Sequence, residues 1–294
     1  MVNLGKVLTA MVTPFKPDMS VDWKRAEELA DYLVRNGSEG LVVHGTTGES
    51  PTLTHEEEYE LYRVVKKAVG GRCKIIAGTG SNSTETTIKS SKEAEKIGVD
   101  ALMIVVPYYN KPSQEGMYQH YKAVSQATDL PIIIYNIPGR TGVNMTPETV
   151  ARIATDCKKV IGLKDAAGNL DQTSATRNLC PKDFTIWSGD DSLTLPMLSV
   201  GAVGVISVAS HIVGKEIGEM VHAYHAGEVK KAAEIHFKLL PLFKVLFITS
   251  NPSPVKYALE LIGQPVGKPR LPLVEPSEKE KEQIKKVMKE LGLV

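Results

Sequence analysis

Residues 131–165, PIIIYNIPGRTGVNMTPETVARIATDCKKVIGLKD, carry two short apolar runs on either side of a polar, periodic stretch. Pro131 to Asn136 and Val160 to Lys164 are continuously apolar rather than alternating, as expected of parallel strands covered on both faces. Between them, Thr146-Pro147 sets a capping side chain before a proline that the first turn of a helix tolerates. The stretch therefore reads as strand, helix, strand. Its second run closes on Lys164, just before Asp165 and the turn-prone Ala166-Ala167-Gly168-Asn169.

The same unit recurs on both sides. Val7 to Met11, Gly40 to Val43, Lys74 to Gly78, Ala101 to Val106, Phe184 to Ser188 and Val203 to Ser207 bring the apolar runs to eight. Helical patterns lie between them: Ala26, Leu29, Ala30, Leu33 and Val34 share one face after Asp22, and Thr54-His55-Glu56-Glu57 has capping-box spacing. Eight alternations, with no GxGxxG after the first run, predict an α/β (β/α)8 TIM barrel over a doubly wound open sheet. After Ser207 the strand signal stops. Helices are expected over about 213–226, 228–248 and 253–263 and from Ser277, with a turn at Asn251-Pro252. Residues 1–210 thus read as the barrel carrying the site, and 211–294 as a C-terminal helical region.

With 42% hydrophobic content over 294 residues, the chain can bury a substantial core. Its 35 basic and 34 acidic residues nearly cancel, which gives no electrostatic case for nucleic acid or an anionic membrane. Cys73, Cys157 and Cys180 are an odd set without CxxC spacing, so neither a disulfide framework nor a cysteine zinc site is suggested, and a reducing compartment fits. The N-terminal Met1 to Val7 lacks the apolar core of a signal peptide, and no run approaches the ~18 residues of a membrane span. The expectation is a cytoplasmic protein with a small-molecule partner.

In a TIM barrel the site is built where the strands end. Past the second run comes His44-Gly45-Thr46-Thr47-Gly48-Glu49-Ser50, with two hydroxyls between glycines that let backbone N–H groups approach a carboxylate. Pro107-Tyr108-Tyr109-Asn110 follows the fourth, and the fifth ends at Tyr135 before Asn136-Ile137-Pro138-Gly139-Arg140-Thr141-Gly142. Gly189-Asp190-Asp191 follows the seventh. A lysine at a buried strand end tends toward the neutral amine and can attack a carbonyl. The reading is Schiff-base catalysis, with Lys164 as nucleophile, Tyr135 moving protons, Thr46 as a hydroxyl relay and Arg140 anchoring a carboxylate. His44 is left out of this mechanism. His222 and His225, one turn apart, lack a third metal ligand in sequence.

Gly45-Thr46-Thr47-Gly48-Glu49-Ser50, Pro107-Tyr108-Tyr109-Asn110-Lys111-Pro112, Tyr135 to Gly142, Gly162-Leu163-Lys164-Asp165 and Ser188-Gly189-Asp190-Asp191 occur in the order and spacing of a known family. From about residue 5 to its end the chain resembles the 4-hydroxy-tetrahydrodipicolinate synthases, of the class I pyruvate-dependent lyase superfamily. The resemblance implies that Lys164 condenses with pyruvate and that the resulting enamine attacks L-aspartate-4-semialdehyde. The product is a cyclic precursor of diaminopimelate and lysine, made without metal or organic cofactor. It further implies that Tyr109 joins Tyr135 and Thr46 from a neighbouring subunit, and that Thr47 holds pyruvate's carboxylate. Arg140 would receive the semialdehyde's carboxylate, and Gly189, Ile206 and Asn251 would line the site or orient the lysine. A homotetramer, a dimer of dimers, is the implied assembly. Sister activities, a 2-keto-3-deoxy-sugar-acid aldolase or N-acetylneuraminate lyase, share the lysine and tyrosine; Tyr108-Tyr109-Asn110 with Arg140-Thr141-Gly142 suits a short carboxylated aldehyde instead.

Ser50, His55, Asn82 and Tyr108 match positions that bind regulatory lysine in feedback-inhibited members. Glu58 stands where those members have a histidine, and Thr86 where they have an acidic residue that pairs with the inhibitor's amine. A missing carboxylate partner for a buried ammonium predicts weak or absent inhibition by lysine.

Overall fold

The structure is a computed structural model that describes residues 3–294, so Met1 and Val2 of the N-terminal stretch lie outside the described residues. Eight parallel strands close into a barrel in sequence order: β1 Val7–Ala10, β2 Gly40–Val43, β3 Lys74–Gly78, β4 Ala101–Val105, β5 Ile132–Asn136, β6 Val160–Asp165, β7 Thr185–Ser188 and β8 Gly204–Ser207. Closure is made by β8 pairing with β1, with Ile206 opposite Leu8. This is the TIM barrel that the apolar runs predict, and the open sheet is excluded because no strand edge is left.

The helices are α1 Trp23–Arg35, α2 His55–Val69, α3 Thr84–Ile97, α4 Gln114–Ala127, α5 Pro138–Thr141, α6 Pro147–Asp156, α7 Leu170–Leu179, α8 Thr194–Ser199, α9 Ser210–His225, α10 Val229–Val245, α11 Ser253–Leu261 and α12 Glu278–Glu290. Their starts follow local chemistry. Asp22 caps α1, Thr146 caps α6, and Thr54 and Ser277 each form a capping box at the head of α2 and α12. Non-helical angles at Val213 kink α9 near its start, which is why its periodic pattern emerges only from about residue 213. Helix α9 packs on β1 and serves as the eighth outer helix.

Alternation along each strand sorts the side chains into two layers. Ile132, Ile134, Leu163 and Ile186 face the outer helices, in the large cluster between barrel and helix ring. Leu8, Val42, Ile76, Met103, Ile133, Tyr135, Trp187 and Ile206 fill the barrel's interior. A Cβ on Gly162 would lie 2.7 Å from the Trp187 ring, so the missing side chain is what admits the indole. The Trp187 Nε1–H donates to the Gly5 carbonyl at 3.0 Å, which draws the ring toward the amino end of the barrel. Space at the carboxyl end is left to polar groups.

Candidate active site

Tyr135 on β5 pairs with Lys164 on β6, which pairs with Trp187 on β7. That register turns Tyr135 and Lys164 inward side by side, and the Lys164 Nζ stands 4.3 Å from the centre of the Tyr135 ring. Lys164 is 4% exposed. Burial pulls its ammonium down from the ordinary 10.5 to about 8, against an upward pull from the Asp191 carboxylate and with a smaller downward push from Arg140. Burial raises the Tyr135 phenol, while the Thr46 side chain and the Arg140 charge pull it partly back. The lysine occupies the last strand position but one, because Asp165 extends β6 by a residue beyond the apolar run.

Asp191 is the charge that sequence reading left without a role. It is buried, accepts hydrogen bonds from the Ser207 hydroxyl and from the backbone N–H groups of Val208 (3.1 Å) and Ala209 (2.9 Å), and acts on Lys164 through space. Burial raises its carboxyl above the ordinary carboxylate value, and these donors pull it partly back. Its presence in Ser188-Gly189-Asp190-Asp191, beside the seventh strand end, was the available signal.

Loop 44–50 brings the hydroxyls. Thr46 is half-buried, near Tyr135, and Thr47 is buried, its Oγ1 accepting from the Asn251 Nδ2 at 2.9 Å. Arg140 lies on α5, a short helix that the sequence did not reveal; it is exposed, and its Nη2 donates to the Asn251 carbonyl at 3.4 Å. Asn251 therefore touches both carboxylate-binding candidates. Ile206 lies in the interior cluster with Tyr135. Gly189 donates its N–H to the Asp165 carbonyl at 2.7 Å, and a Cβ there would come within 2.7 Å of the Ala166 Cβ. Tyr109 is not part of this grouping. Its side chain is 88% exposed on a backbone with φ +71°, a left-handed angle that is uncommon for a bulky residue.

The loop is held from a distance by charges that sequence reading also missed. Glu49, itself at φ +58°, pairs through Oε1 with Lys256 on α11 at 2.6 Å, and both side chains are almost wholly buried, at 1% and 2% exposure. Glu49 Oε2 accepts the Arg270 N–H at 2.8 Å. The Arg270 guanidinium then forks onto Glu57 at 2.6 and 2.8 Å and lies over the Phe15 ring, as does the Lys256 ammonium. Nothing in either segment alone marks the pairing.

A second cavity, of about 220 Å³, opens beside the loop. Ser50, His55, Glu58, Thr86 and Tyr108 line it; Asn82 does not, although its neighbour Ser81 does. The buried Glu58 carboxylate accepts the Tyr62 hydroxyl at 3.0 Å and lies 2.9 Å from the His55 Nδ1. His222 and His225 have separate partners, Glu39 and the Val203 carbonyl. Among the described residues there is no cluster of three metal-ligating side chains, and no helix is long and apolar enough to cross a membrane. The three cysteines are free and buried.

Residues 3–291 match the dihydrodipicolinate synthetase family. The 4-hydroxy-tetrahydrodipicolinate synthase of Desulforamulus reducens is 56% identical over 293 residues, spanning 100% of this chain and 99% of its own length. That of Moorella thermoacetica is 58% identical over 290 residues, 99% of each chain. Among solved structures, DHDPS from Cyanidioschyzon merolae with lysine bound superposes with a TM-score of 0.97 at 49% identity, covering 99% of both chains. Dihydrodipicolinate synthase from Thermotoga maritima gives 0.96 at 48% identity, covering 98% of this chain and 99% of the other. The TIM barrel, the motifs at its strand ends and these full-length matches together place the chain in the dihydrodipicolinate synthetase family.

Proposed function

We propose that this chain condenses pyruvate with L-aspartate-4-semialdehyde to 4-hydroxy-tetrahydrodipicolinate, in the route to diaminopimelate and lysine. The observation that carries the reading is the buried amine of Lys164 against the Tyr135 ring at the carboxyl end of the barrel. Full-length relatives that carry the synthase name support this chemistry over a sugar-acid aldolase or N-acetylneuraminate lyase.

Neutral Lys164 attacks C2 of pyruvate, and loss of water gives the iminium. Loss of a methyl proton then gives the enamine, whose carbon attacks the aldehyde. Tyr135, with Thr46 as relay, supplies the proton that the new alkoxide takes up. The semialdehyde's own amine displaces Lys164 from C2 and closes the ring. Thr47, steadied by Asn251, is assigned to pyruvate's carboxylate, and Arg140 to the semialdehyde's carboxylate at the rim. Gly189 leaves room beside Lys164's strand, and Ile206 walls the pocket from below.

The exposed Tyr109 is assigned to a neighbouring subunit's site, and the assembly to a homotetramer built as a dimer of dimers in the cytoplasm. Ser50, His55 and Tyr108, with Asn82 beside them, are assigned to a regulatory lysine site, where Glu58 is the only carboxylate among the described residues that line the cavity. Borohydride added with pyruvate should attach one pyruvyl unit at Lys164, absent from Lys164→Ala. A coupled assay with dipicolinate reductase should then show turnover with aspartate semialdehyde and none with sugar-derived aldehydes. A wild-type protein that gives no adduct would sink the Schiff-base reading.

A further inference from the structure

His44 takes no part in the chemistry just described, yet it stands between the active site and the side cavity. It holds a left-handed backbone angle, φ +61°. Its Nδ1 lies 2.9 Å from the Gly78 carbonyl, an acceptor only, so Nδ1 carries the hydrogen. The same nitrogen is 3.6 Å from the Glu58 Oε1, and the Tyr62 hydroxyl bridges to both acceptors, at 3.0 Å to Glu58 and 3.1 Å to Gly78. Nε2 is thereby left as a free base, and it is buried with no protein partner among the described residues.

His44 also lines two cavities. One, of about 30 Å³, is shared with Thr46 and Tyr135 and is large enough for a single water. The other is the 220 Å³ cavity with Glu58 on its wall. Ser50 and Gly80 border both, so the two cavities share a wall that includes His44. The titratable groups facing this space are Glu58, Tyr62 and His55 from α2, Tyr108 from the loop after β4, and Tyr135 from β5; among the described residues no lysine or arginine lines it.

The reaction proposed above must export a proton. The semialdehyde's amine enters as an ammonium and leaves as a neutral ring imine, and the Tyr135 and Thr46 hydroxyls are restored after each cycle. We propose that His44 is the proton-relay residue that carries this proton from the Tyr135–Thr46 hydroxyls to the outer cavity, with Glu58 as its positioning carboxylate. The inference rests on the Schiff-base reading. A water in the small cavity takes a proton from the hydroxyl pair and yields one to Nε2: an N–H bond forms as an O–H bond breaks. The resulting imidazolium keeps its Nδ1–H toward Gly78 and Glu58, whose negative charge stabilises it. Nε2 then returns the proton to water on the side of the larger cavity, and the ring regains its starting tautomer.

His44→Asn separates this role from a structural one. Asparagine tolerates the left-handed angle and can still donate to the Gly78 carbonyl, but it cannot carry a proton. In dilute buffer its kcat should fall about 100-fold, the low end of what a lost proton carrier removes, with KM for pyruvate unchanged. Raising the buffer concentration or adding imidazole should restore the rate, and borohydride should still trap the full pyruvyl adduct. Glu58→Gln, assayed in parallel and decisive if the first variant does not fold, should show the same buffer-dependent loss. Wild-type kcat in dilute buffer, or a loss that no buffer restores, would overturn the proposal; absence of the adduct in the wild type would instead indict the Schiff-base reading.

Discussion

The amine of Lys164 sets a pH profile that can be worked out in advance. Burial brings it to about 8. At that value about a tenth of the amine is neutral at pH 7, against roughly three parts in ten thousand for an ordinary lysine, so burial supplies about 300-fold more nucleophile. Between pH 6 and pH 9 the neutral fraction rises from about 1% to about 90%, and the rise flattens above pH 8. The assay is the initial rate of borohydride-trapped pyruvyl adduct, followed by intact mass, with pyruvate below saturation. Asp191→Asn removes the charge that holds the ammonium up, so its plateau should begin at lower pH; Arg140→Leu removes an opposing positive charge, so its plateau should begin at higher pH. A wild-type rate that climbs tenfold per pH unit through pH 9 without flattening would refute a depressed amine. The same group has a stability signature. Because the folded state holds fewer protons than the unfolded chain between about 8 and 10.5, burial of the amine costs about 3 kcal/mol below that window. Its cost fades as the pH rises through the window.

Replacing Lys256 by Met leaves Glu49 buried without its partner, and a broken buried pair costs about 3–5 kcal/mol. Calorimetry should show a melting temperature lower by about 5–15 °C, and a drop of only a degree or two would show the pair to be dispensable. Tyr109→Phe should lower kcat while leaving Lys164's adduct intact. Mixing it with an excess of Lys164→Ala chains should recover activity through sites that combine the two, and no recovery would mean that Tyr109 serves its own chain. Lysine should inhibit only at millimolar concentration, because Thr86 brings no charge to the cavity and Glu58 already accepts from Tyr62. Steady-state inhibition at sub-millimolar lysine would contradict this.

The barrel was legible because both faces of each strand are covered, which writes the strand as an unbroken apolar run; β2 and β3 have the bounds those runs give. Helix α5 escaped because Pro138 to Thr141 is too short to show a period. Lys164 and Tyr135 could be nominated from position alone, since strand ends converge in a barrel. Their facing was not readable, because it depends on the register between β5 and β6, including a shift at Ile132/Ile133. The Glu49–Lys256 pair and the His44–Glu58 contact join segments whose own sequences give no reason to meet. Such partners follow from packing, and only coordinates show them.

Thr47 and the asparagine that steadies it are 204 positions apart, and Arg270 lies 221 positions beyond Glu49. This spacing fixes an order of events during synthesis. When residue 250 has just been added, all eight strands exist, but Asn251, Lys256 and Arg270 do not. At about 5–20 residues per second the remainder takes a few seconds more. A chain stalled there would hold every strand of the barrel, with Lys164 and Tyr135 in register, and still leave loop 44–50 without the groups that hold it. The groups that hold loop 44–50 are thus made only after the last strand of the barrel, together with α11 and α12.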